Sequence, residues 1–163
     1  RFVDLAEIGS YEDGLFNLEV FGKADRVVYL AAYLYHYRRD GSSSVTSGYN
    51  PGLYDQWQTL YDRMEAIIQS NQLGSEYEAA LNNRIALGIL GLGLNITVST
   101  QSMGKKVKDI HRIIRQKRYR KAYKNLPLNY FPIHWKLFYG CARHGFAFGV
   151  YVLLTVIQRI ISR

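Results

Sequence analysis

Just after Pro51, the residues Leu53, Trp57, Leu60, Tyr61, Met64, Ile67 and Ile68 recur at spacings of three, four and one. That is the pattern of a helix with one apolar face. Gly74 and Ser75 mark its end and the next start. Residues 76–100 predict a second helix, almost wholly apolar from 85 to 98. Gly88, Gly91 and Gly93 lower its helix propensity and are expected where another backbone approaches closely. Val107, Ile110 and Ile114 give one apolar side to a third helix over 105–124, with cations around the rest. Beyond Pro127 and Pro132, the chain from His134 onward predicts one or two final helices. The apolar run 146–157 is 12 residues long, short of the roughly 20 that span a bilayer. The run 85–98 is also short, and Asn95 interrupts it. Both read as buried core helices. Asn95, Ile96 and Thr97 match a glycosylation sequon, but one set inside an apolar helix.

Ahead of Pro51 the pattern is mixed. Ser10 can cap a helix whose first turn holds Glu12 and Asp13, where the helix dipole favours negative charge. Leu15, Phe16, Leu18, Val20 and Phe21 supply its apolar positions, and Gly22 is the expected stop. Residues 26–30 and 34–38, rich in Val, Tyr and Leu, predict two short strands. The Gly/Ser-rich stretch 41–44, with Thr46, Ser47 and Gly48 behind it, is the clearest loop. The expected fold is mainly α, of α+β character. A short helix and a two-stranded β element precede a bundle-like region of four or five longer helices. The expected division is 1–48 and 49–163.

Composition narrows this reading. With 163 residues, 48% hydrophobic and 21% charged, the chain has enough apolar material for a core. It starts at Arg1 and reads as a piece of something longer. The lone Cys141 excludes an internal disulfide framework and a multi-cysteine zinc site. The net charge of +8 is unevenly spread. Residues 1–100 carry 7 Lys/Arg against 12 Asp/Glu, while residues 101–163 carry 14 Lys/Arg against Asp109 alone. Ten of the late cations lie in 105–124. Such asymmetry points to an acidic partner for the second half. Lys105, Lys106, Lys108, Arg112, Arg115, Lys117, Arg118, Arg120 and Lys121 are the candidates to face anionic headgroups.

The candidate chemistry sits near the start. Ser10-Tyr11-Glu12-Asp13-Gly14-Leu15-Phe16-Asn17-Leu18-Glu19 is followed by Arg26-Val27-Val28-Tyr29-Leu30, then Leu34-Tyr35-His36-Tyr37-Arg38-Arg39 and Ser42-Ser43-Ser44. This order resembles the C-terminal part of the catalytic domain of family 2 glycosyltransferases, as in bacterial capsule, exopolysaccharide and lipopolysaccharide enzymes. They carry an acid pair usually preceded by Gly, an apolar helix, a strand, and a Tyr-x-Tyr-Arg element with a Ser-containing loop. The resemblance covers about residues 1–50, and departs at Tyr11, where these enzymes usually have Gly.

The resemblance implies inverting transfer of a sugar from a nucleotide diphosphate to a hydroxyl of a glycan or lipid-linked acceptor. Such a hydroxyl is a poor nucleophile until a base removes its proton. Asp13 would be that base, with Glu12 orienting the acceptor or the loop. His36, Arg38, Arg39, Ser43 and Ser44 would lie near the diphosphate, whose growing charge cations and hydroxyls stabilise. The family's donor half carries an Asp-x-Asp element that holds Mg²⁺ or Mn²⁺. The chain has no Asp-x-Asp and no Gly-rich phosphate loop, so it is expected to hold no cofactor and to turn over nothing alone. The expected setting is the cytoplasm, peripheral to the inner face of the cytoplasmic membrane. A helical module for dimerisation or membrane docking, without catalysis, is the alternative. A basic nucleic-acid-binding domain ranks below both, since nothing beyond charge and the interleaved Tyr119 and Tyr123 matches such a module.

Overall fold

A computed structural model describes residues 4–35 and 48–161. Among these, the chain forms eight α-helices: α1 (Leu5–Ile8), α2 (Glu12–Lys23), α3 (Leu53–Ser70), α4 (Ser75–Thr97), α5 (Met103–Ile114), α6 (Lys117–Asn125), α7 (Ile133–His144) and α8 (Ala147–Ile161). A 3₁₀ turn, Leu128–Tyr130, joins α6 to α7. The mainly helical expectation holds, with six longer helices in place of four or five. The α4 helix is long and apolar enough to cross a membrane. Here it is the central rod, packed against α3, α5, α6 and α8.

The apolar stripe of α3 is buried as its spacing requires. Trp57, Leu60, Tyr61, Met64 and Ile68 are all inside. They serve two cores. Trp57 and Tyr61 join Ile85, Ile89 and Leu92 of α4, Ile110 and Ile114 of α5, Tyr119 and Tyr123 of α6, Phe138 of α7, and Val150 and Leu154 of α8. Leu60 and Met64 form a smaller core with Ile8 and Leu15. Each fully buried side chain of this size contributes about 1.5–3 kcal/mol. The short helices α1 and α2 therefore depend on α3 for their burial.

Three expectations are corrected. Residues 26–35 form no strand, and among the described residues there is no β element at all. Val27, Val28, Leu30 and Leu34 are exposed, and Tyr29 is 89% exposed. Two short strands hold together only when a third strand or a helix covers one face, and nothing in the described chain does so. Residues 36–38 of the second expected strand lie outside the described residues.

The single helix expected over 105–124 is two, broken at Gln116, whose ψ of 142° is extended. The reason is phase. The buried face of α5 is Ile110, Ile113 and Ile114. A continuous helix would next bring Lys117 and Lys121 to that face. The break resets the register, so that Tyr119, Ala122 and Tyr123 are buried instead.

The α4 glycines admit side chains rather than a neighbouring backbone. A Cβ at Gly88 would overlap the Tyr61 hydroxyl, one at Gly91 would lie 2.6 Å from the Trp57 ring, and one at Gly93 would overlap Leu154. Gly140 in α7 has open space around it. In a helix, Ala is favoured over Gly by about 1 kcal/mol, whereas overpacking a rigid ring costs about 1–3 kcal/mol. The two substitutions should therefore move urea unfolding in opposite directions. Gly140→Ala is expected to stabilise by about 0.5–1 kcal/mol, and Gly91→Ala to destabilise by about 1 kcal/mol net.

Four core phenols give the fold an alkaline limit. Burial pushes Tyr61 and Tyr139 up to about 12, and raises Tyr119 and Tyr123 above the ordinary tyrosine value. Their folded-state values exceed the unfolded one, so the stabilisation is complete below pH 10 and is lost as pH rises through the folded values. Phenolate absorbance from these residues is expected to appear together with loss of helical circular dichroism above pH 10. Ionisation of all four with the helices intact would contradict it.

Candidate functional site

The acid pair sits at a corner that the backbone makes tightly. Gly9 has φ 73° and Tyr11 has φ 70°, ψ 28°, so two left-handed residues flank Ser10. The chain breaks there between α1 and α2. Gly9 is also crowded: a Cβ there would lie 2.5 Å from the Gln56 amide oxygen. Glu12 and Asp13 open α2, where its dipole favours negative charge. Asp13 is exposed and Glu12 partly so. Asp13 Oδ1 accepts a bond from the Gly14 amide at 2.7 Å. Neither carboxylate has an ion pair among the described residues.

The expected cap is not made. The residue before α2 is Tyr11, with no side-chain capping bond. Ser10 instead accepts a hydrogen bond from Trp57 Nε1 at 3.3 Å. The helix also passes the expected stop at Gly22 and ends at Lys23.

An aromatic and cationic stack braces the corner from behind. The Tyr11 ring meets Trp57 edge-on, with centroids 5.7 Å apart. The Arg84 guanidinium of α4 lies 3.6 Å from the centre of the Tyr11 ring and 5.6 Å from that of Trp57. A cation so placed over an aromatic face contributes about 0.5–2 kcal/mol.

A ladder of amides ties the corner to the bundle. Gln56 Nε2 donates to the Ala6 carbonyl at 3.2 Å, and Asn50 Nδ2 donates to Gln56 Oε1 at 2.8 Å. The Asn50 amide donates to Asn95 Oδ1, and Asn95 Nδ2 donates to the Asn50 carbonyl, both at 2.8 Å. Asn95 thus pairs with a backbone in the manner of a strand, and explains the polar break in the apolar run.

The sequence pattern does not single out Arg84, Gln56, Asn50 or Asn95 as site supports, and places Trp57 only on the apolar face of a helix. One signal was available: Arg84 is the last cation before the long apolar stretch of α4. The candidate diphosphate residues His36, Arg38, Arg39, Ser43 and Ser44 lie outside the described residues.

The nine cations expected to face headgroups separate into two groups. Lys105 and Arg112 pair with Asp109 at 3.0 and 3.4 Å. Lys106 donates to the Thr97 carbonyl at the end of α4, at 2.8 Å. Arg118 bonds Gln58, Asp62 and Glu65. Burial alone would lower the Arg118 pKa, but bonding to Asp62 and the charges of Asp62 and Glu65 outweigh it, so the value rises. Lys108, Arg115, Lys117, Arg120 and Lys121 have no ion pair among the described residues and are exposed.

Compared with family models, with curated proteins and with solved structures, the chain matches none of them.

The corner sets a contrast between two substitutions. Both Tyr11→Ala and Tyr11→Gly lose the ring contacts with Trp57 and Arg84. Only Ala retains a Cβ in the left-handed region, which costs about 1–2 kcal/mol. Thermal or urea unfolding is expected to show the Gly variant about 1 kcal/mol more stable than the Ala variant. The reverse order would mean that the corner relaxes out of this conformation.

Proposed function

We propose that this chain is the C-terminal part of an inverting family 2 glycosyltransferase. It would supply the acceptor-side base, while the donor-binding half belongs to the rest of a longer protein. The observation that carries the reading is the backbone at Tyr11. Immediately before Glu12-Asp13, that residue adopts φ 70°, ψ 28°, a conformation that suits glycine. The resembled family usually has glycine at this place, so a backbone that glycine adopts freely supports the reading although the side chain differs.

Two further features support it. Asp13 is exposed on a corner fixed by Trp57, Gln56 and the Ile8–Leu15 core, so it can meet a substrate without moving. The exposed apolar residues Val27, Val28, Tyr29, Leu30, Tyr33 and Leu34 lack a covering surface among the described residues. Exposed apolar surface of this extent marks a contact with something else, here the donor half.

In the transferring step, the Asp13 carboxylate accepts the proton of the acceptor hydroxyl. That oxygen attacks the anomeric carbon from the face opposite the leaving group. The bond to the diphosphate oxygen breaks, and its electron pair departs with the nucleotide diphosphate. Glu12 orients the acceptor. His36, Arg38, Arg39, Ser43 and Ser44 are assigned to the diphosphate by resemblance.

The family's Mg²⁺ or Mn²⁺ does not fit the residues present. The chain has no Asp-x-Asp, and the described residues contain no group of three His, Cys, Asp or Glu suited to a metal. No step here runs through one. The helical body would carry the site to the inner face of the cytoplasmic membrane. Phe148, Val152, Val156 and Ile160, four residues apart on α8 and exposed, support such a surface contact.

The test is the full-length enzyme with Asp13→Asn, which preserves shape and the acceptor of the Gly14 bond. Loss of the base is expected to lower kcat by about 10²–10⁴-fold, with KM for the nucleotide sugar unchanged. Glu12→Gln should cost less. Undiminished turnover by Asp13→Asn would remove Asp13 from the chemistry.

A further inference from the structure

Five cations are gathered on one side of the α5–α6–α7 junction, and a sixth closes it. Lys117, Arg120, Lys121 and Lys124 follow one another at intervals of three, one and three residues along α6, so they share a helix face. With Arg115 and Arg143 they line an open cleft of about 580 Å³ whose lining, among the described residues, contains no acid. Arg115 reaches from the α5–α6 corner to the turn before α8. Its Nη1 lies 3.1 Å from where a Gly145 Cβ would be. Arg143 is held in place, donating through Nε and Nη2 to the Tyr123 carbonyl at 2.9 and 2.6 Å and through Nη2 to the Leu126 carbonyl at 2.9 Å.

Acids are within the molecule's means but are placed elsewhere. The α6 cation on another face, Arg118, takes Asp62 and Glu65. Asp109 takes Lys105 and Arg112. Lys117 and Lys121 also border a neighbouring groove that holds Glu65 and Glu78, yet form no ion pair there among the described residues. The like-charged neighbours on α6, three and four residues apart, repel one another. The start of α6 adds to the positive potential, since Gln116 makes no side-chain cap and the first-turn amides have no partner within the helix.

From this geometry we propose that the cleft is a binding site for a ligand bearing two or more phosphate groups. The cationic row from Lys117 to Lys124 rises about 10 Å along α6, longer than one phosphate and suited to a chain of them. Arg115 adds a planar donor of the kind that grips phosphate oxygens in pairs, and Arg143, whose Nε and Nη2 are taken by carbonyls, adds its positive charge. The site is independent of the acid pair near Asp13 and stands whether or not that pair transfers sugar.

The experiment is calorimetric titration of the chain with phosphate, pyrophosphate and tripolyphosphate at constant ionic strength. The expected result is saturable binding at one site, strengthening by about tenfold from phosphate to tripolyphosphate as further charge-assisted contacts form. Lys117→Glu/Lys121→Glu should weaken it by about tenfold or more, while Lys108→Glu/Arg112→Glu, the same change of charge outside the cleft, should alter it by less than about twofold. Circular dichroism confirms that both variants are folded, and Lys117→Gln/Lys121→Gln serves if the reversal is not. Flotation with cardiolipin, whose headgroup bears two phosphates, in phosphatidylcholine vesicles separates the two sources of the ligand. Cleft-dependent flotation assigns a lipid headgroup, and soluble binding without flotation assigns a free phosphate ester. Equal weakening by both charge reversals overturns the site in favour of a diffuse basic surface. So does an absence of saturable binding, or retention of RNA alone.

Discussion

Trp57 is the residue on which the rest of the arrangement depends. Its ring lies in a recess that α4 offers by having Gly88 and Gly91 there, since a Cβ at either position would meet Trp57 or its neighbour Tyr61. Seated in that recess, the indole does three things. It fills the large core on its α4 side, gives its Nε1–H to Ser10, and presents an edge to Tyr11. The central bundle and the corner before Glu12-Asp13 are thus joined through one side chain. The helix propensity forgone at two glycines, about 1 kcal/mol each, is offset by the burial of a large aromatic surface. A helix of ordinary composition at α4 would hold α3 further off and leave α1 and α2 without a floor.

The second organising constraint is the disposal of positive charge. The C-terminal part of the chain is strongly basic, and the structure treats its cations unequally. Some are spent on the fold: Lys106 on the end of α4, Arg118 on Asp62 and Glu65 of α3, Arg143 on the last carbonyls around α6. Exposed pairs such as Lys105–Asp109 add little, about 0–1 kcal/mol. The remaining cations of α6 are concentrated by the break at Gln116. Had α5 and α6 been one helix, Lys117 and Lys121 would point at the apolar interior. The same re-phasing that buries Tyr119 and Tyr123 therefore turns these lysines outward, into one cleft with Arg115 and Arg143.

Much of this was legible from spacing alone. The stripe of α3 and the extent of α4 follow from apolar periodicity, which tertiary packing reinforces. The break between α5 and α6 was also written in the sequence, because the apolar positions shift phase between Ile114 and Tyr119. A reading that counted cations across 105–124 passed over it. Over the described residues 26–35, the expected strands were misread for another reason. Val, Tyr and Leu in alternation state what a segment suits, but a strand exists only beside a partner, and the described chain has none to offer. The supports of the acid pair were least legible. Arg84, Gln56 and Asn95 act through contacts with residues 73, 50 and 45 positions away in the chain, and no local spacing encodes them. Asn95 looked like an interruption only because its partner, the Asn50 backbone, cannot be seen in sequence.

Tyr11 shows how these constraints meet at the proposed site. A left-handed residue with a Cβ costs about 1–2 kcal/mol. Against that stand the Arg84 cation over its ring, about 0.5–2 kcal/mol, and the edge-on contact with Trp57, about 0.5–1.5 kcal/mol. The terms are of one size, so the tyrosine is not there for a large gain in stability. What it changes is coupling. Glycine would satisfy the backbone and leave the corner tied to α3 through Ser10, Gln56 and the small core. Tyrosine adds a direct link to α4 through Arg84, so that the position of the acid pair follows α4 as well as α3. A strained residue stays in place only when its surroundings over-determine it. Here the surroundings are Trp57 on one side and Arg84 on the other, and the groups they hold steady are the two carboxylates of the next turn.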